Sequence, residues 1–169
     1  GKWEDFRRAK EATLIGSLTF LKDWIIRSEV SDALGKIYVR NIKTNKEEEL
    51  KITEEKVISP GISLKQKDKD TDIIRVSYDS PKTPSRTFEY KIKTKEKKLI
   101  KEQNIPSGHN KDNYIVERLN CESHDGRRIP MTITYHKKTR LDGSAHVLLY
   151  GYGSYGMSMG PSFSSTRLS

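Results

Sequence analysis

One cysteine, Cys121, stands in 169 residues. It excludes an internal disulfide and fits a reducing compartment. No apolar run approaches the roughly 20 residues of a membrane-spanning helix, so no membrane partner is expected. Gly1-Lys2-Trp3-Glu4-Asp5 opens without the basic start and apolar core of a signal peptide. Together these point to a cytoplasmic protein. Aromatic residues are scarce at 8%, and none lies between Lys91 and Asn113, the most basic stretch. A stacking platform for single-stranded nucleic acid is therefore missing there. The four histidines, His109, His124, His136 and His146, have no ligand-like spacing and one cysteine for company. They read as surface or strand residues, with no metal and no cofactor expected.

Charge is plentiful by contrast. Charged residues make up 33% of the chain, as much as hydrophobic ones, and the formal net charge is +9. Disorder is the first suspicion at such values. The apolar residues are clustered in short runs, however, which favours a sheet-rich fold with a solvated surface. Lys91, Lys93, Lys95 and Lys97 alternate with Ile92, Thr94 and Glu96, the pattern of a strand-and-turn face turned to water.

Strand signals dominate after the first 15 residues or so. Short runs rich in β-branched or aromatic residues cover Ser17–Leu21, Trp24–Val30, Lys36–Ile42, Glu48–Ile52, Ile73–Tyr78, Arg86–Ile92 and Lys97–Lys101. Trp3–Ala12 alone suggests a turn or two of helix. Asn41-Ile42-Lys43-Thr44 is echoed 50 residues later by Lys91-Ile92-Lys93-Thr94, and Asp23-Trp24-Ile25-Ile26-Arg27 more loosely by Asp72-Ile73-Ile74-Arg75-Val76. A period near 50 residues, with about four short strands per unit, marks a propeller blade.

Composition changes at Gln103–Asn113, which is polar and contains Pro106 and Gly108. That stretch reads as a boundary. Beyond it, Tyr114–Cys121 and Ile129–His136 flank Asp125-Gly126 as a hairpin. The apolar run Ala145-His146-Val147-Leu148-Leu149-Tyr150 reads as a strand buried on both faces. It leads into Tyr150-Gly151-Tyr152-Gly153-Ser154-Tyr155-Gly156, where glycines permit tight turns and close approach. On residue chemistry alone this is a flexible Gly/Tyr/Ser loop or a site beyond a strand end. Ser154 is not a nucleophile elbow, because Tyr152 occupies the place of the first glycine. Only 15 residues follow it, with no His or Asp among them.

Leu148–Gly156 followed by Phe163–Ser169 resembles the first buried-strand segment of the hydrolase domain of the prolyl oligopeptidase family, in its oligopeptidase B branch. Ser123-His124-Asp125-Gly126-Arg127-Arg128-Ile129-Pro130 is similar to the hairpin that opens that domain. Ser80-Pro81-Lys82-Thr83-Pro84 with Phe88-Glu89-Tyr90 resembles its last propeller blade. The specific motifs run from about residue 75 to the end. From Trp3 to Thr71 the match is looser but keeps its order.

The resemblance implies a mainly β chain: partial β-propeller blades followed by the first strands of an α/β-hydrolase domain. Residues 1–105 would be the last blades, 106–113 an interdomain linker with a hinge role, and 114–169 the truncated start of the catalytic domain. The family is one of serine endopeptidases acting by acyl transfer, here on short peptides after Arg or Lys. Tyr152 would be the oxyanion donor and Tyr155 a wall of the specificity pocket, with Gly151 and Gly153 conformational. Nucleophile, Asp and His would lie beyond Ser169, so the chain alone is expected to be inactive. Exposed strand edges would favour self-association. A non-catalytic β-propeller binding module and a fragment of another α/β-hydrolase, such as an esterase, are the alternatives.

Overall fold

The computed structural model describes residues 8, 10–64 and 69–168. The helical expectation over Trp3–Ala12 falls largely outside them. Among the described residues no α-helix occurs, and no helix is long and apolar enough to cross a membrane. The chain forms two four-stranded antiparallel meanders and one hairpin.

The first sheet contains β1 (Thr13–Phe20), β2 (Trp24–Ser31), β3 (Leu34–Asn41) and β4 (Glu47–Glu49), in that order. The second contains β5 (Ser59–Ser63), β6 (Ile73–Asp79), β7 (Arg86–Lys91) and β8 (Lys97–Glu102), again in chain order. The 50-residue echo is therefore a structural repeat. The Ile42 amide donates to the Asp23 carbonyl at 3.0 Å, and the Ile92 amide donates to the Asp72 carbonyl at 2.8 Å. Asn41 and Lys91 each close the same hairpin turn, and the turns end on left-handed residues, Asn45 (φ 57) and Lys95 (φ 61).

Strand alternation decides which face is buried. Ile74, Val76 and Tyr78 share one face of β6 and are 0–4% exposed. Their cross-strand partners Tyr90 and Phe88 extend that face. Ile26, Ile37 and Val39 of the first sheet complete the core with Leu21, Ile52 and Ile92. Gly35 lets the sheets approach, since a Cβ there would meet Pro60 Cδ at 2.8 Å.

Among the described residues four polar side chains are also buried, Arg27, Glu29, Ser80 and Thr83. Arg27 and Glu29 lie on the face of β2 opposite Ile26, yet are 1% and 3% exposed and form an ion pair. Arg27 also reaches Glu47 at 3.1 Å and lies 4.4 Å from the centre of the Tyr38 ring. Burial, and next the charge of Glu29, raises the Tyr38 hydroxyl above its ordinary pKa. Elsewhere Glu55, from the segment joining the sheets, accepts bonds from the Ser80 and Thr83 hydroxyls, each at 2.6 Å. That carboxylate fastens the β6–β7 turn to the connecting chain.

β5 is not among the strands expected from the sequence; it contains Pro60 and Gly61, two residues depleted in strands. It is an edge strand, where proline costs no central ladder bond. Ala145–Tyr150 departs in the other direction. It forms no strand, and Val147, Leu148 and Leu149 are 75–86% exposed. A strand buried on both faces needs neighbours to bond and elements to cover it. Among the described residues no strand lies beside this run.

Candidate active-site loop and the cluster that anchors it

β8 ends at Glu102 and β9 (Tyr114–Glu122) pairs with β10 (Arg128–His136), from Glu122 opposite Arg128 to Tyr114 opposite His136. The Ser-x-Asp-Gly segment closes this hairpin. The Ser123 amide donates to the Arg127 carbonyl at 2.8 Å, and Gly126 takes φ 77, where a side chain would be strained. Arg118 of β9 bonds the Thr132 hydroxyl at 2.8 Å and the Asp32 carbonyl of the β2–β3 turn. It thus ties the hairpin to the first sheet. Desolvation there lowers its pKa.

The segment between β8 and β9 is fastened as well. The Gln103 amide donates to the Ser85 carbonyl at 2.8 Å, and the Gly108 amide to the Ile105 carbonyl at 2.9 Å. His109 Nε2 donates to the Lys82 carbonyl at 2.7 Å. Swinging at this segment would have to break that bond.

The candidate residues sit on an exposed loop. Tyr152 is 50% exposed and Tyr155 93% exposed. Neither hydroxyl has a hydrogen-bond partner among the described residues, so both are available to a ligand. The loop is shaped at its middle, where Tyr155 (φ 55) and Gly156 (φ 68) are left-handed and the Met157 amide donates to the Ser154 carbonyl at 3.0 Å. A Cβ at Gly151 or Gly153 would meet nothing within 4 Å, so no close approach requires glycine at either position in this arrangement. The structure therefore brings Tyr152 and Tyr155 onto one loop without enclosing them in a pocket. Arg167 lies over the Tyr150 ring at 4.7 Å and folds the following segment back towards the apolar run.

A second grouping had no counterpart in the sequence reading. His109 stacks on Tyr114 at 5.5 Å and meets Phe163 edge-on at 5.0 Å, and Tyr114 meets His136 edge-on at 5.5 Å. The Tyr114 hydroxyl donates to the Leu168 carbonyl at 3.0 Å. The Phe163 amide donates to Asp79 Oδ2 at 2.7 Å. Burial raises the Asp79 carboxyl above the ordinary carboxylate range, and the Phe163 bond opposes that rise. His109 and His136 are thus ring partners that join the interstrand segment, the hairpin and the C-terminal segment. Their sequence signal was slight, since the partners lie far apart in the chain. No group of three or more metal-ligating side chains assembles among the described residues.

Residues 1–103 match a family model described as the N-terminal β-propeller domain of prolyl oligopeptidase. The dipeptidyl aminopeptidase BI of Pseudoxanthomonas mexicana is 33% identical over 168 residues, covering 99% of this chain and 23% of that protein. Protease 2 of Moraxella lacunata is 31% identical over 105 residues, covering 62% of this chain and 15% of that protein. The oligopeptidase B structure from Trypanosoma brucei, in a closed form with covalently bound antipain, superposes with a TM-score of 0.84 at 24% identity. It covers 95% of this chain and 24% of that one. At such identity the likeness shows the fold: two open sheets of a partial propeller. The chain spans less than a quarter of the length of these curated relatives.

Proposed function

Because the chain belongs to the prolyl oligopeptidase family, we propose that it joins the last propeller blades to the start of the hydrolase domain of a serine oligopeptidase. In this reading residues 1–105 are blades, 106–113 the linker and 114–169 the beginning of the catalytic domain. Tyr152 is the residue that acts on the substrate. A phenol on a glycine-flanked loop can aim its O–H at the negative charge that develops on the scissile carbonyl oxygen. Tyr155 on the same loop would face the substrate side chain. The observation that carries the reading is the Tyr-Gly-Tyr-Gly loop, presented with free tyrosine hydroxyls behind the Ser-x-Asp-Gly hairpin in a chain of this family. The nucleophile, its base and the acidic groups that would select Arg or Lys would come from further sequence. The protein would work in the cytoplasm on short basic peptides.

An amidolytic assay on a blocked peptide ending in an Arg chromophore tests this. The 169-residue chain alone is expected to be inert and the longer enzyme active. Tyr152→Phe in the longer enzyme is expected to lower kcat by about 10²–10³-fold. Activity of the chain alone, or a Phe variant as fast as the parent, would overturn it. A second reading, dipeptidyl aminopeptidase action, is favoured by the relative aligned over 99% of the chain. Cleavage confined to substrates with a free amino-terminal dipeptide would select that reading.

The 169-residue chain by itself should also self-associate. β1 is an edge strand that exposes Leu14, Leu18 and Phe20 at 44–61%, and open apolar edges recruit further strands. Sedimentation should show species larger than 19.5 kDa that grow with concentration. A monomer at every concentration would refute this.

A further inference from the structure

On its C-terminal side the loop that carries Tyr152 is first attached at Pro161–Phe163, ahead of the bond from Tyr114 to the Leu168 carbonyl. Every residue from Leu141 to Gly160 is exposed, whereas Pro161 is the one buried residue after Ile92 among the described residues. Two contacts converge there, and Gly160 passes close to β5. The Phe163 amide donates to Asp79 Oδ2 at 2.7 Å. The Phe163 ring abuts His109, itself bonded to the Lys82 carbonyl at 2.7 Å. A Cβ at Gly160 would lie 4.0 Å from the hydroxyl of Ser59, the residue paired with Asp79 across β5 and β6. On the N-terminal side the loop departs from β10, where the Lys137 amide donates to the Asn113 carbonyl at 2.8 Å. The loop is therefore strung between the hairpin and the end of β6.

We propose that Asp79 is a positioning residue for the Tyr152 loop: by accepting the Phe163 amide, this propeller carboxylate fixes the far end of the loop against the second sheet. The role rests on Tyr152 acting as the oxyanion donor. Asp79 touches no substrate and acts through the backbone of the loop. In this arrangement the second sheet takes part in aligning the site. Displacing a donor by about 1 Å can cost about 10²-fold in rate, so an anchor at one end of an otherwise exposed loop has leverage on the chemistry. The Asp79 carboxylate is costly to bury, and an asparagine would offer the same acceptor geometry without the charge. That separates the hydrogen bond from the charge experimentally.

Amide exchange on the 169-residue chain reads the anchor directly. In the unaltered chain the Phe163 amide should exchange at least about 10-fold more slowly, relative to its intrinsic rate, than those of Gly151 and Gly153. Asp79→Ala should abolish that protection while the amides of Ile74 and Val76 keep theirs, and Asp79→Asn should restore it. An unprotected Phe163 amide in the unaltered chain, or protection that survives Asp79→Ala, would overturn the anchor. In the longer enzyme, Asp79→Ala should lower kcat about 10-fold or more with KM little changed, and Asp79→Asn should recover most of the loss. A normal kcat in Asp79→Ala, with Tyr152→Phe still impaired, overturns the positioning role and leaves the oxyanion reading intact. A normal kcat in Tyr152→Phe overturns both, whatever the exchange data show.

Discussion

Replacing Arg27 with alanine is expected to destabilise the fold by about 3–5 kcal/mol. Arg27 is 1% exposed and pairs with Glu29, which is 3% exposed. Removing the guanidinium takes from the buried Glu29 carboxylate the positive charge that Arg27 supplies, and it also strips the cation from the Tyr38 ring. Glu47 suffers less, since its side chain is 27% exposed and water can reach it. The pair itself is a weaker source of stability than the single substitution would suggest. Taking two ions out of water costs nearly as much as their attraction returns, and among the described residues Arg27 Nε is buried without a partner. The double replacement Arg27→Met with Glu29→Leu should therefore recover most of the loss. Urea denaturation measures both, read as a shift in midpoint at constant slope. A single variant within about 1 kcal/mol of the unaltered chain would show that the two groups are hydrated in solution.

Ile74→Ala should cost about 2–5 kcal/mol, the range for deleting a large aliphatic side chain from a packed core. Ile74 is 0% exposed and sits on the β6 face that meets the first sheet. Its loss opens a cavity between two sheets whose backbones are held by their own ladders and cannot close over it. Leu149→Ala is the matched control. Leu149 is 86% exposed, so the same truncation in the 169-residue chain should change stability by no more than about 0.5 kcal/mol. Two similar leucine-sized truncations would thus differ several-fold. Equal costs would mean that the 145–150 run is buried in solution, whether against this chain or another copy.

The difference between those two residues also explains how much of the fold could be read from the sequence. Ile74, Val76 and Tyr78 alternate with polar residues, and period-two alternation is a local property that fixes both strand and buried face. The echo between Asn41–Thr44 and Lys91–Thr94 was legible for the same reason, since a hairpin turn is set by a few adjacent residues. Val147, Leu148 and Leu149 show only that a segment is apolar. What covers it is a non-local matter, and the described residues supply no cover. β5 was missed because Pro60 and Gly61 speak for a turn in isolation, and it is the edge position that makes them tolerable. Tyr152 and Tyr155 could be singled out only through resemblance, since the loop's composition is equally that of a plain connector. The grouping of Asp79, His109, Tyr114, His136 and Phe163 was invisible, because its members become neighbours only when four segments meet: β6, the β8–β9 connection, the hairpin and the C-terminal segment. The family match to residues 1–103 falls mainly on the half where the sequence motifs were least specific.

The chain-order arrangement of both sheets has a consequence for synthesis. Within each sheet every strand bonds its immediate predecessor, so the first meander can close once Glu49 has left the ribosome. Its inward face, Ile26, Ile37 and Val39, then waits for Ile74, Val76 and Tyr90. At about 5–20 residues per second that delay is about 2–8 s, during which a finished but uncovered sheet is displayed to solvent or to a chaperone. Glu55, the carboxylate that grips Ser80 and Thr83, emerges inside this interval and can capture the incoming β6–β7 turn as soon as it appears. The nascent chain thus carries, between its two meanders, the group that ends their separation.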